Sequence, residues 1–353
     1  MWERADQDER LLAASPLLVR DEKLSAYVHG VLCSAVGRDR CSAARIYIIR
    51  DPNFNASMAP NGTMRVYTGL LLRMRNEAEL ASVLGHEFGH FELRHSLGKF
   101  KSQRTSSDIL AWGAVLAGIA ASNGVNTNYS QIEYSVYGDF YRYSRSLERD
   151  ADLLGLGYLN SGTLRPQAAA AVWTNLMGEA EASARIRGVK KPNFNAVAFF
   201  ASHPPEAERA TYLAAFADPS AISREDGKQR YRDALSTWLP TLLDDQIKVN
   251  DFGATEYVLE QLAVDGWTAV LLNARGDLYR RRGHPRDLVN AALFYGDAAV
   301  QDPKLATAHR GLGLSLLKIG RASEGYVALR TYLELLPDAQ DAKMIRLMLP
   351  KEN

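Results

Sequence analysis

The sequence predicts a helix-dominated α+β domain with a small sheet over residues 1–220, followed by an all-α domain of helical repeats over 221–353. Three observations predict this. Strand-like segments occur only early in the chain, at "RIYIIRD" (45–51) and around Met64 to Thr68. Apolar residues elsewhere recur at helical spacing. After about residue 220 the strand signals vanish, and two helix–turn–helix segments there resemble each other.

Residues 10–37 read as one helix, because Leu24, Tyr27, Val28, Val31 and Leu32 share a face. "RIYIIRD" alternates and is β-branched, which suits a strand. The second extended segment follows the turn signal Pro60-Asn61-Gly62. A long helix is expected from about Asn76 to Lys99, with Leu80, Val83, Leu84, Phe91 and Leu97 on its apolar side. The segment Ile109–Ala121, "ILAWGAVLAGIAA", is the most apolar, but it is shorter than the roughly 20 residues needed to span a bilayer. It reads as a buried helix or a loop packed near a cleft, and membrane contact is expected to be peripheral at most. A helix from near Asp139 to Asn160 stops at Gly162, and another starts at Pro166, a good first-turn residue. A further helix is expected over 202–216, with Pro205 in its first turn.

The two similar segments cover 273–303 and 308–338, and their closing prolines, Pro303 and Pro337, stand 34 residues apart. That is the tetratricopeptide period, and an eroded copy ends at 253–267. Such repeats form a helical solenoid that binds peptides or partner proteins. The simpler alternative is a plain helical cap on the first domain.

At 46% hydrophobic, 353 residues suffice for two modest cores, and 42 basic against 41 acidic residues leave a net charge of +1. That balance gives no nucleic-acid footprint. The first residues are charged from position 3 with no apolar stretch, so the chain as given shows no secretory signal. Only two cysteines occur, Cys33 and Cys41, which excludes a Cys-rich zinc ribbon. The seven residues between them include a glycine, so a helix followed by a turn can bring the sulfurs together. The alternatives are a bridge and two unrelated buried thiols. We expect the bridge, which would argue for an oxidising compartment.

The chemistry is concentrated in "HEFGH" (86–90). On a helix, His86 and His90 point the same way, so two neutral imidazoles can hold one zinc ion while Glu87 stands alongside as a base. This run sits on a helical segment directly after strands, which is the zincin context. Gly89 lets another element approach closely. The alternative is two histidines hydrogen-bonded inside a core. Ser96 and Leu93 stand where a metzincin would need His and Gly, so that class is out. His95 lies about 140° round the helix from His90, so it cannot reach the same metal and reads as structural or as a support. The best third ligand is Glu148 in "LERDAD", whose helix puts Asp152 one turn later, placed to hydrogen-bond a ligating imidazole. Glu133 and Asp139 are other acidic candidates, without that paired spacing.

Five motifs in order, "NAS" (55–57), "VYTGLL" (66–71), "NEAELASVLGHEFGHFELRH" (76–95), "SRSLERDAD" (144–152) and "SHPPEAER" (202–209), resemble the HtpX/BepA-type zinc metallopeptidases, relatives of the CAAX prenyl proteases. The resemblance covers roughly residues 45–215. It implies one zinc per chain held by His86, His90 and Glu148, with Glu87 as catalytic base and Asp152 supporting a ligating histidine. It implies His203 near the metal, either as an oxyanion donor or as a latch on zinc's open position, and Arg209 holding that loop; a cap at the entry of the following helix is the alternative for His203. Asn55 and Ala56 resemble the substrate-holding Asn-Ala of other gluzincins; a turn residue is the alternative for Asn55. The helical tail resembles the BepA-like periplasmic branch, which handles misassembled outer-membrane proteins. The expected function is therefore a periplasmic zinc endopeptidase in protein quality control, with repeats recruiting a partner protein. A second reading is a chaperone or adaptor working through the repeats, its zinc site quiescent.

Overall fold

The computed structural model describes residues 1–98, 145–194 and 206–350. The apolar segment 109–121, Glu133, Asp139, the start of the helix expected near Asp139, Pro205 and His203 lie outside the described residues. Two compact units emerge, one of residues 1–177 and 193–235, the other of 178–192 and 236–353.

In the first unit, helix α1 (Trp2–Ala14) is followed by α2 (Glu22–Val36), where one helix over 10–37 was expected. The break is local chemistry. Pro16 disfavours helical backbone at Ser15, which is extended at φ −64°, ψ 137°. The chain restarts at Asp21, whose side chain accepts a hydrogen bond from the Leu24 N–H at 3.0 Å. Between the helices, the Val19 N–H donates to the Ile48 carbonyl at 2.9 Å and the Arg50 N–H to the Leu17 carbonyl at 2.8 Å, so the linker lines a sheet edge.

After the short α3 (Arg38–Cys41), strands β1 (Arg45–Ile49), β2 (Ala56–Met58) and β3 (Thr63–Tyr67) form one sheet in the order β1-β3-β2. β1 pairs parallel to β3, with Ile48 opposite Val66; β2 pairs antiparallel, with Ala56 opposite Val66. The sequence pattern does not separate β2 from β3. At three residues it is too short to show alternation. The Tyr67 N–H donates to the Asn55 carbonyl and the Ala59 N–H to the Thr63 carbonyl, so residues 55, 57 and 59 bond β3. The backbone groups of Ala56 and Met58 consequently point to the open edge.

Helices α4 (Thr68–Arg73), α5 (Glu77–Glu92), α6 (Arg145–Ser161), α7 (Ala168–Arg187), α8 (Glu206–Phe216) and α9 (Lys228–Leu235) complete this part of the chain, although α7 crosses into the second unit after Met177. α5 packs against α6, α2 and β2. Val28, Leu32, Ile48, Met64, Leu70, Leu80, Leu84 and Leu159 are buried in this core, each contributing about 1.5–3 kcal/mol. α5 ends earlier than the expected Lys99: Arg94 adopts a left-handed φ of 54°, a conformation that stops a helix.

The second unit contains α10 (Leu239–Lys248), α11 (Phe252–Leu262), α12 (Ala269–Arg282), α13 (Pro285–Gln301), α14 (Ala306–Lys318), α15 (Ala322–Leu335) and α16 (Ala342–Met348). α12 and α13 form one hairpin and α14 and α15 the next, each turning at a left-handed glycine, Gly283 or Gly320. The glycines recur at a longer interval than the prolines, because α15 is shorter than α13. Gly276 and Gly311 lie against the Tyr295 ring, which lets α12 and α14 close over it. The unit does not begin at the expected position 221. The last turns of α7 belong to it, with the Ala182 carbonyl against Gly253 and Gly178 beneath the Tyr257 hydroxyl.

Candidate metal centre

Asn76 caps α5, its side chain accepting from the Glu79 N–H at 2.8 Å, and the helix then runs unbroken through the histidines. The helix that meets it there is α6. A Cβ on Gly155 would stand 2.9 Å from the His86 nitrogen, and one on Gly89 would stand 3.1 Å from the Ala151 carbonyl oxygen. Glycine at these places lets the two backbones touch, which is the close approach expected at Gly89. Glu148, one turn before Ala151, is thereby set against His86 and His90, with all three buried.

The Nε2 atoms of His86 and His90 lie 3.2 Å apart. Glu148 Oε2 is 3.5 Å from the first, and Oε1 is 3.6 Å from the second. Three donor atoms thus converge within 4.8 Å of one another, a His-His-carboxylate set that fits zinc. The outer nitrogens are engaged too. Nδ1 of His86 lies 2.8 Å from Asp152 Oδ1 and must donate to it, which leaves Nε2 with its lone pair turned inward. Arg209 Nη2, 3.2 Å from the same Nδ1, has no lone pair to accept that proton, so its bond is to Asp152 instead. Nδ1 of His90 lies 2.9 Å from Nδ1 of His95. The Arg94 turn makes this contact, folding back a residue that an unbroken helix would carry away.

Arg209, on α8, is buried, donates from Nε to Asp152 at 2.8 Å, and stacks its guanidinium 3.6 Å over the Trp173 ring. Tyr212 also donates to Asp152. Burial raises the Asp152 carboxyl, but Arg209 and His86 outweigh it and hold the group well below the usual carboxylate range. Burial lowers His86 to about 4, with Asp152 opposing, so the ring is neutral and able to ligate. Burial and then His90 push His95 down as well. Glu87 is buried beside the cluster, Oε1 standing 3.9 Å from His86 Nε2. Burial and then the Glu148 charge raise its carboxyl well above the ordinary value, while the Met58 N–H, bonded to it, pulls the other way.

The structure therefore brings together His86, Glu87, His90, Glu148, Asp152 and Arg209. Arg209 donates to Asp152, and the loop it is expected to hold lies outside the described residues. Asn55 is exposed and Ala56 buried at the sheet edge nearest Glu87. Sequence reasoning missed Trp173, Tyr212 and the Met58 N–H. Tyr212 could have been found, since it follows Arg209 by three residues on the same helix face. Nothing in the sequence singles out Trp173 or a backbone group. The pair Cys33 and Cys41 is bridged, its Cα atoms 5.0 Å apart.

Comparison with known proteins agrees with this geometry. The chain is 33% identical over 175 residues to metalloprotease YcaL of Escherichia coli, covering 48% of this chain and 59% of the relative. It is 29% identical over 180 residues to the mitochondrial metalloendopeptidase OMA1 of Schizosaccharomyces pombe, covering 51% and 48%. It is 26% identical over 188 residues to the beta-barrel assembly-enhancing protease of Escherichia coli, covering 50% and 37%. The matches thus span between about a third and three fifths of these relatives' own length. A family model for peptidase family M48 matches residues 19–217, a span that holds every residue of the cluster and more than half of the chain, and the protein belongs to that family.

Proposed function

We propose that this chain is a zinc-dependent endopeptidase that cuts unfolded or misassembled proteins in the bacterial envelope. The observation that carries the reading is the convergence of His86, His90 and Glu148 with Glu87 beside them. A zinc ion bound there would supply Lewis acidity and bring the pKa of water to about 7. Glu87 takes the proton of the attacking water and delivers it to the leaving amine. The Met58 N–H fixes the Glu87 carboxyl at the open edge of β2, where Ala56 N–H and C=O can receive an extended peptide as an added strand. Asn55, just before that strand, holds the substrate from the same side. Asp152, steadied by Arg209 and Tyr212, keeps His86 in the ligating tautomer. The family resemblance of "SHPPEAER" supports a role for His203 near the metal.

The helical hairpins of the second unit support the reading of tetratricopeptide-like repeats that recruit a partner protein. The name of one relative, a beta-barrel assembly-enhancing protease, favours outer-membrane proteins as substrates and the periplasm as the compartment. The bridged cysteines agree with an oxidising location. No helix among the described residues is long and apolar enough to cross a membrane. Replacing Glu87 by Gln tests the central reading. The variant should keep about one zinc per chain and lose cleavage of an unfolded test protein such as casein. Unchanged cleavage would remove Glu87 as the base; absence of cleavage in the unaltered, zinc-loaded chain would favour an adaptor.

A further inference from the structure

The corner where α2 meets α3 carries a second group of donors, distinct from the centre on α5. His29 and Cys33 stand one turn apart on α2, and Cys41 closes α3 against them. Ligand atoms of the three lie within 4.8 Å of one another. The histidine is already oriented for ligation. Its Nε2 stands 3.3 Å from the Cys41 carbonyl oxygen, which can only accept, so Nε2 carries the proton. Its Nδ1 therefore presents a lone pair, 3.6 Å from Cys33 Sγ. A carbonyl that fixes the far nitrogen of an imidazole is the usual support of a metal-binding histidine.

We propose that this corner is a second metal site, closed while Cys33 and Cys41 are bridged and opened by reduction, taking a thiophilic ion such as Zn²⁺ or Cu⁺. A dithiol reductant supplies two electrons and two protons. The S–S bond breaks, two thiols form, and the reductant becomes a disulfide. Each thiol then gives up its proton as it binds the ion, so uptake releases two protons. Sulfurs in a tetrahedral zinc site, with bonds of about 2.3 Å, stand about 3.8 Å apart. Cα atoms 5.0 Å apart allow that separation by side-chain rotation alone. Access is available, because His29 and Cys33 are only half-buried and a Cβ on Gly30 would meet nothing within 4 Å. With the ion in place of the bridge, α2 and α3 stay fastened in both redox states.

Cobalt titration of the full chain separates this site from the first, which has no sulfur and cannot give a thiolate-to-cobalt charge-transfer band. The oxidised chain should bind Co²⁺ without that band. After reduction by a phosphine it should take up one further equivalent and show the band. Cys33→Ser should abolish the band, and His29→Ala, with both thiols intact, should weaken the second equivalent by about tenfold or more. Denaturing the reduced chain should also weaken it. A reduced chain with no band, a His29→Ala titration that overlays the parent, or a band equally strong in denaturant would each overturn the proposal.

Discussion

Each imidazole at the centre is held at its outer nitrogen, but by partners of different strength. His86 answers to a carboxylate steadied by a buried arginine and a tyrosine, whereas His90 has the ring of His95 at its Nδ1. When His90 ligates through Nε2, its Nδ1–H donates to His95, which must then carry its own proton on Nε2. Replacing His95 by Ala removes that acceptor and should lower zinc affinity about 10–100-fold, measured by competition with a chromophoric chelator; an unchanged affinity would make His95 a packing residue. Arg209→Lys loses both the paired contact to Asp152 and the stack on Trp173, and leaves Asp152 and His86 poorly balanced. Breaking a buried pair of this kind costs about 3–5 kcal/mol, which a denaturant titration would read. His86 and His90 were legible because their spacing encodes a shared helix face, Glu87 because it adjoins the first of them, and Glu148 because Asp152 follows it by one turn. The His95 contact was not, since it depends on one left-handed residue, Arg94, which the helical pattern of the sequence does not announce.

The glycine contacts between α5 and α6 set the distance from Glu148 to the histidines. A methyl group at Gly155 would meet backbone at 2.9 Å, which no rotamer relieves, so the helices must part. Gly155→Ala should cost about 1–3 kcal/mol of stability and also weaken zinc binding, although it touches no ligand. Unaltered metal affinity in that variant would mean that α6 is positioned by its other contacts. α1 is fastened by a smaller device. Glu9 accepts from Arg45 Nε at 2.6 Å and Tyr47 Oη at 2.9 Å, and the Arg45 bond, against some burial, lowers its carboxyl to about 2. A carboxyl depressed in the folded state stabilises fully above its unfolded pKa near 4.5 and loses that contribution as pH falls toward 2. Because Arg45 is half-exposed, Glu9→Gln should cost no more than about 1 kcal/mol at pH 7, with the difference from the parent vanishing near pH 2. The strands β1 and β3 and the hairpin glycines could be read from pattern. The short β2 and the break at Pro16 could not, because three residues show no period and a long helical face continues across the proline.

The two units divide the labour of the chain unevenly. Every described residue of the metal centre lies in the first unit, yet the second claims the end of α7. A chain ending at Leu235 should therefore keep about one zinc and cleave a small unstructured peptide. Residues 178–192, deprived of Gly253 and Tyr257, should become the first site of limited proteolysis. Zinc loss from a truncated chain with intact helicity would show that the first unit does not stand alone. Large substrates should be handled less well, which a comparison of peptide and whole-protein turnover would expose. The partition between α5 and α6 has a further consequence for when a protease of this kind becomes dangerous. Two donors come from one helix and the third from another, separated along the chain and brought close where glycine permits backbone contact. A newly made or damaged copy whose α6 has not docked holds a pair of imidazoles and no third hand to complete the grip. Competence to cut is then tied to the copy's own correct assembly, an interlock that disarms a misfolded protease before it meets its neighbours.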